Sequence, residues 1–323
     1  MHKCFKILLF LLTFVSLDVF SQENEFQNFS ISEGLQSPSV NDIIQDEIGY
    51  LWLATNKGLV RFDGENFKNF NTHNQSKAAV LFSKNNQLIA AQASGLFKIR
   101  KDSIVNLGKE KINKISSLND KVLFGTNQGI YQLINHSLAP LKIQSNIDFS
   151  IINDIIQFEN AIYIASNNGL WKLDKLLNPT KIHKIIDFNI QSLLVINNQL
   201  AIQLKKEIKF YKSNKIVSNI ELTTDIASIK NINSKLWITT NGDGIHIYNL
   251  PNFTFERKIN KYNSNISNNI NTVFKDRQNL IWIGSSDNGL YKYSLENISE
   301  NIKQETRGDV VMQGEKYRLN ILG

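Results

Sequence analysis

"SVNDIIQDEIGYLWLATNKGLVRFDG", residues 39–64, decides how this chain is read. It holds an apolar run, a polar turn, a second apolar run, a turn ending in glycine, and a third run. The phrase occurs seven times. Its middle runs are "LWLAT" (51–55), "LIAAQ" (88–92), "VLFGT" (122–126), "IYIAS" (162–166), "LAIQL" (200–204), "LWITT" (236–240) and "IWIGS" (281–285). A glycine column follows at Gly58, Gly95, Gly129, Gly169, Gly244 and Gly289, with Glu207 in the fifth place. The spacings along that column are 37, 34, 40, 38, 37 and 45.

Short runs bounded by Asn, Asp, Gly and Ser suit strands and turns. The chain lacks the i, i+3, i+4 apolar spacing that a helical repeat of this length would carry. A repeat of roughly 38 residues with strand content points to blades of a propeller. The expected fold is all-β: a seven-bladed β-propeller of four-stranded antiparallel blades. Runs apolar on both faces, such as "IYI" and "IWI", fit sheets sandwiched between neighbouring sheets. The glycine column fits a tight turn that needs positive φ. Glu207 predicts a different turn in the fifth blade, or one reshaped for contact.

Within a blade, strand a is expected at 40–44, b at 50–55, c at 58–63 and d, the outer edge, at 67–71. Later a strands are expected at 78–82, 112–116, 152–156, 190–194, 226–230 and 270–274. Later d strands are weaker in sequence and are placed at 103–107, 140–144, 180–186, 215–222 and 254–260. The seventh repeat has no aromatic d strand after it. The stretch "EFQNFS" (25–30) resembles the "FKNFN" of the first repeat (67–71). An N-terminal strand from this stretch is therefore expected to complete the seventh blade and close the ring, which removes an exposed sheet edge.

The first 22 residues read as a signal peptide. Lys3 and Lys6 precede a short apolar run, with small or apolar residues near Val19 and Ser21. The lone cysteine, Cys4, lies inside that leader, so the mature chain has no thiol. The formal charge is +7, and losing Lys3, Lys6 and Asp18 with the leader leaves +6. Lysines are scattered, "LKKEIKFYK" (204–212) being the densest patch, so they read as solvated surface. A leader argues against nucleic acid as a partner, and no later stretch is apolar enough to span a membrane. The expected division is 1–22 signal peptide, 23–295 propeller and 296–323 C-terminal tail or linker. The expected location is the periplasm or the exterior.

Catalytic motifs are absent from the sequence. His73, His136, His183 and His246 fall in different repeats without metal spacing. No nucleophile elbow, zinc-protease helix or phosphate loop occurs, and "TNGDG" (240–244) lacks the carboxylates of a calcium loop. No metal or cofactor is expected. Trp52, Trp237 and Trp282 read as inter-blade core. A ligand would meet the b–c turns and d–a connections, which gather on one face around the central channel. The candidate residues are Asn56, Lys57, Asn127, Gln128, Asn167, Asn168, Lys205, Lys206, Asn241, Asp243, Ser286 and Asp287. Amide side chains donate and accept, which suits hydroxyl-rich ligands, although Asn is also a common turn former.

Residues 39–71 resemble the two-component regulator propeller repeat, through Asn41, Asp46, Gly49, Trp52, Thr55, Gly58, Leu59, Phe62 and Asp63. The seventh repeat resembles it through Asn271, Asp276, Trp282, Gly284, Gly289, Leu290 and Tyr293. The fourth (Asn153, Gly169, Trp171) and sixth (Trp237, Gly244) match in part, and the second, third and fifth are degenerate. The resemblance implies a non-enzymatic, extracytoplasmic sensory module of a two-component system. In such systems the propeller stands before an immunoglobulin-like domain, a membrane helix and a kinase or DNA-binding output, and several members sense glycan fragments. This sequence carries no kinase or output domain after Tyr293, so the expected partners are a glycan ligand and a membrane sensor kinase or envelope protein. The alternatives are an envelope assembly or docking scaffold and, third, a propeller-type lyase or glycan hydrolase.

Overall fold

The computed structural model describes residues 26–293 apart from 71–77, 85–86, 101–102, 119–120, 136, 142, 144–150 and 176–180. The leader, the tail, His73 and His136 lie outside the described residues. The strands form seven sheets, each of four strands. Every pairing between named strands is antiparallel.

Blade 1 runs Val40–Gln45, Leu51–Thr55, Gly58–Phe62 and Phe67–Phe70 as strands a to d. Blade 2 runs Ala78–Lys84, Gln87–Gln92, Gly95–Arg100 and Ser103–Gly108. Blade 3 runs Ile112–Leu118, Lys121–Thr126, Gly129–Ile134 and Ser137–Pro140. Blade 4 runs Ile152–Phe158, Ala161–Ser166, Gly169–Leu173 and Ile182–Ile186. Blade 5 runs Ser192–Ile196, Gln199–Gln203, Glu207–Lys212 and Lys215–Glu221. Blade 6 runs Asp225–Ile232, Lys235–Asn241, Ile245–Asn249 and Thr254–Ile259. Blade 7 takes a, b and c from Ile270–Lys275, Ile281–Ser285 and Leu290–Tyr293.

Its d strand is Phe26–Phe29, paired Phe26↔Tyr293 through Phe29↔Leu290. The start of the chain thus completes its last blade, as the repeated aromatic phrase predicts. Phe26 stacks on Tyr293 with centroids 4.7 Å apart. Phe29 packs among Phe62, Phe67 and Trp282, in the wedge between blades 7 and 1. Asn28 Nδ2 donates to the Asn288 carbonyl at 2.9 Å, and Gly289 N–H donates to the Pro38 carbonyl at 2.7 Å. On the opposite face the same junction is held by Arg277, whose guanidinium reaches Gln45 Oε1 and the Asp46 and Glu47 carbonyls.

The central b strands of blades 1, 4 and 7 are buried along their whole length. Apolar clusters fill the wedges between neighbouring blades. Trp52, Trp237 and Trp282 all belong to that core. The first and last of them are anchored by carboxylates. Asp46 accepts from Trp52 Nε1 at 2.7 Å and Asp276 from Trp282 Nε1 at 2.7 Å. The second oxygen of each caps its own a–b turn.

Two expected strands are displaced. Strand a of blade 5 is Ser192–Ile196, beyond the 190–194 expected. Strand d of blade 3 is Ser137–Pro140, ahead of the 140–144 expected from the apolar "PLKIQ". Leu141 is nonetheless buried and its N–H donates to the Ile130 carbonyl, so the apolar residue packs beyond the strand end.

Candidate functional site

The glycine column sits where φ is positive: +118° at Gly58, +74° at Gly244 and +80° at Gly289. A Cβ at Gly289 would meet the Phe29 carbonyl oxygen at 2.4 Å, so here glycine also admits the closing strand. In blades 1, 3, 4, 6 and 7 a hydroxyl at or next to the end of strand b caps the turn. Thr55 donates to the Gly58 carbonyl at 2.8 Å and accepts from Lys57 N–H at 3.2 Å. Thr126, Thr240 and Ser285 repeat that pair of bonds, and Ser166 donates to the Gly169 carbonyl at 2.8 Å.

Blade 5 departs as Glu207 foretells. Leu204 N–H donates to the Glu207 carbonyl, and Glu207 does not take a positive φ. The Lys205 and Lys206 carbonyls accept from Ile226 and Leu222 N–H, which docks this turn onto the connection to blade 6.

The b–c turns and d–a connections share one face. Asp287 accepts from Asn269 Nδ2 at 3.0 Å, and Ile190 N–H donates to the Ser166 carbonyl. The candidate residues divide by what they touch. Asn56 and Asn127 lie innermost, each accepting from the strand a amide of its own blade: Asn41 at 3.1 Å and Asn113 at 2.9 Å. Gln128 and Asn168 accept from Tyr131 and Ser166 side chains of their own blades. Lys205 pairs with Asp225 at 3.3 Å. Asp243 reaches His246 at 2.9 Å and Lys258 at 3.0 Å, on strands c and d of blade 6 and away from the channel. Burial holds the His246 imidazole below its ordinary value, against the pull of Asp243. Asn167, Asn241, Ser286 and Asp287 bond chiefly to the connections beside them. Lys57 and Lys206 are exposed and form no ion pair among the described residues. Much of the amide capacity counted from sequence is therefore spent inside the turns. What remains outward is a ring of lysine and amide tips. It stands beside three exposed apolar side chains of the d–a connections: Ile31 (58%), Phe188 (63%) and Tyr262 (79%).

Sequence reasoning left the second and third residues of strand a unassigned. The pairing register shifts at that point in blades 1, 2, 3, 4, 6 and 7. The freed side chains reach the next blade. Asn113, Asn153 and Asn271 donate to the Ile152, Ile190 and Val40 carbonyls at 3.1, 2.8 and 3.0 Å. In blade 5, Gln203 does the same to the Ile226 carbonyl at 3.1 Å. Asp42 accepts from Leu81 N–H at 2.9 Å and Asp154 from Leu193 N–H at 3.0 Å. The recurring Asn-Asp at 41–42 and 153–154 was the available signal. These groups stitch the ring around its channel.

The channel also carries Lys114 and Lys230. Lys114 pairs with the buried Asp154 at 3.1 Å, and that carboxylate raises the ammonium above its ordinary value. Burial raises the Asp42 carboxyl, opposed by Lys230 and by the Leu81 N–H.

Comparison with known proteins agrees with this architecture. The two component regulator propeller family matches residues 34–57 and 265–287, so blades 1 and 7 carry its repeats. The chain is similar to the extracellular domain of a hybrid two component system from B. thetaiotaomicron (TM-score 0.70, 22% identity). That likeness covers 83% of this chain and 41% of the other. It is similar also to the extracellular domain of a one component system from the same organism (TM-score 0.69, 21% identity, 83% and 40% covered). A WD40 propeller domain of Doa1 shares the fold at 16% identity, with TM-score 0.63, over 81% of this chain and 94% of that one. Histidine kinase P4 of Formosa agariphila is 36% identical over 76 residues. That stretch is 24% of this chain and 6% of the kinase, so the chain spans a small part of that relative's length. Among the described residues no helix is long and apolar enough to cross a membrane, and no three metal-ligating side chains cluster.

Proposed function

We propose that this chain is the non-enzymatic, extracytoplasmic sensing propeller of a two-component signalling system. It takes a glycan or a protein partner on its b–c turn face and passes the signal to a membrane kinase. The observation that carries this reading is the regulator repeat in the two blades that meet at ring closure, blades 1 and 7. The turn face adds a physical reason. Its backbone is fixed by hydroxyl caps, while lysine, amide and apolar tips face outward. Rigid scaffolds with exposed loop tips suit recognition.

The test is thermal shift against a panel of neutral and acidic oligosaccharides. One class should raise the midpoint in the parent protein and fail to do so in a Lys57→Gln, Lys206→Gln double variant. A panel without effect, together with a single stoichiometric partner recovered from envelope extract, would favour a docking scaffold instead. The exposed Ile31 and Phe188 give that second reading its footing.

A further inference from the structure

An open cleft of about 580 Å³ lies between blades 4 and 5, away from the b–c turns. Its volume falls in the ~300–1,000 Å³ range of small-molecule sites. Its walls come from the a–b turn and strands c and d of blade 4 and from the c–d turn of blade 5. The chemistry is ordered. Lys172 Nζ donates to Asn214 Oδ1 at 2.7 Å, and the Tyr211 hydroxyl donates to the same oxygen at 3.1 Å. Asn214 stands in the Ser213–Asn214 turn with both residues at positive φ, which fixes that wall. Lys172 also lies 5.7 Å from the centre of the buried Tyr163 ring, and Tyr163 meets Tyr211 edge-on. Burial and the neighbouring Tyr211 hold the Tyr163 phenol above its ordinary value, so the ring beside Lys172 stays uncharged.

Lys172 is thus a half-buried ammonium whose partners among the described residues are neutral: an amide oxygen and an aromatic face. A charge drawn partly out of water gains most from a charged, hydrogen-bonding partner. At the rim stand the exposed Glu159, with Lys181, His183 and Asp174, whose Oδ1 accepts from the Lys175 and Lys181 N–H groups. Carboxylates accept from hydroxyl groups but repel a second anionic group.

From this arrangement we infer that the cleft binds a hydroxylated monoanion, a sugar acid for example, with its carboxylate on Lys172 and its hydroxyls toward Glu159. This site is separate from the turn face.

Calorimetry and saturation-transfer NMR with glucuronate, glucose, sulfate and citrate test it. Glucuronate should bind, and glucose, sulfate and citrate should bind much more weakly. Lys172→Gln should weaken glucuronate about tenfold, and Lys172→Arg should restore it, with unchanged thermal midpoints showing intact folds. Equal binding of glucose, of sulfate or of citrate would overturn the inference, as would an unaffected Lys172→Gln variant. Glucuronate binding lost in the Lys57→Gln, Lys206→Gln variant but kept in Lys172→Gln would sink the cleft while sustaining the turn-face reading.

Discussion

Replacing Phe29 by alanine removes the side chain that joins the two ends of the ring. Phe29 lies in the closing strand, 5.1 Å from Phe62 of blade 1 and 6.1 Å from Trp282 of blade 7. It is buried, and the neighbours are strands of two blades that cannot collapse onto the space without opening the junction. Truncation of a packed Phe costs about 3–5 kcal/mol, against a typical stability of ~5–15 kcal/mol. For a domain of this size that corresponds to a fall in melting temperature of roughly 10 °C. Calorimetry measures it directly. Phe255 supplies the control: it is aromatic, 56% exposed and on the outer edge of blade 6. Its alanine variant should stay within about 0.5 kcal/mol of the parent. A second comparison isolates the junction. Phe29→Ala and Phe62→Ala should be non-additive by about 0.5 kcal/mol or more, because each leaves the other's face unpacked. A Phe29→Ala protein melting within a degree or two of the parent would refute the idea that this strand locks the ring.

Other substitutions separate the remaining parts of the account. Trp52→Phe strands the Asp46 carboxylate and should cost about 1.5–3 kcal/mol. Trp237→Phe should cost less in urea melts than Trp52→Phe, since both leave a similar gap in the core but the Trp237 Nε1 has no hydrogen-bond partner to lose among the described residues. Gly289→Ala should destabilise more than Gly129→Ala. Both glycines have positive φ, but a Cβ at Gly289 strikes the Phe29 carbonyl and one at Gly129 meets nothing within 4 Å. Asp42 gives a pH signature. Its folded pKa is raised, so its contribution to stability is fully present below the ordinary carboxylate value and is lost as pH rises through the folded one. Asp42→Asn should therefore compare more favourably with the parent at pH 7 than at pH 4, by urea melts. Lys230→Met, which removes an opposing charge, should move the Asp42 titration upward in carboxyl NMR. Equal pH dependence in parent and Asp42→Asn would contradict that assignment.

The ring was legible in the sequence because its constraints recur. A buried b strand and a positive-φ turn are needed in nearly every blade, so glycine and apolar runs return on a fixed period. Closure was legible because the same aromatic spacing packs strand d of blade 1 and of blade 7. Outer strands were harder to place. Strand d of blade 5 is exposed at all but one position, so its composition carries little pattern, and strand d of blade 3 was displaced by a neighbouring apolar run.

The candidate turn residues do stand on one face, but composition could not tell an amide free for a ligand from one holding a turn. Asn56 and Asn127 illustrate the second case. The strand a asparagines were visible as part of a repeat. Their task depends on a register shift and a neighbouring blade, neither of which is written locally. The cleft of Lys172 joins residues from five places in two blades, which no linear spacing could announce.

A cysteine pair tests ring closure most directly. Gln27 and Lys292 face one another across the closing pair of strands, and paired antiparallel strands bring Cα atoms to about 4.5–5.5 Å, within disulfide range. In a Cys4→Ser background, Gln27→Cys with Lys292→Cys should oxidise to a monomer containing one bond between the two ends of the propeller, seen by mass spectrometry, with a raised melting temperature. Free thiols, or disulfide-linked dimers in place of that monomer, would contradict a propeller closed by its own first strand.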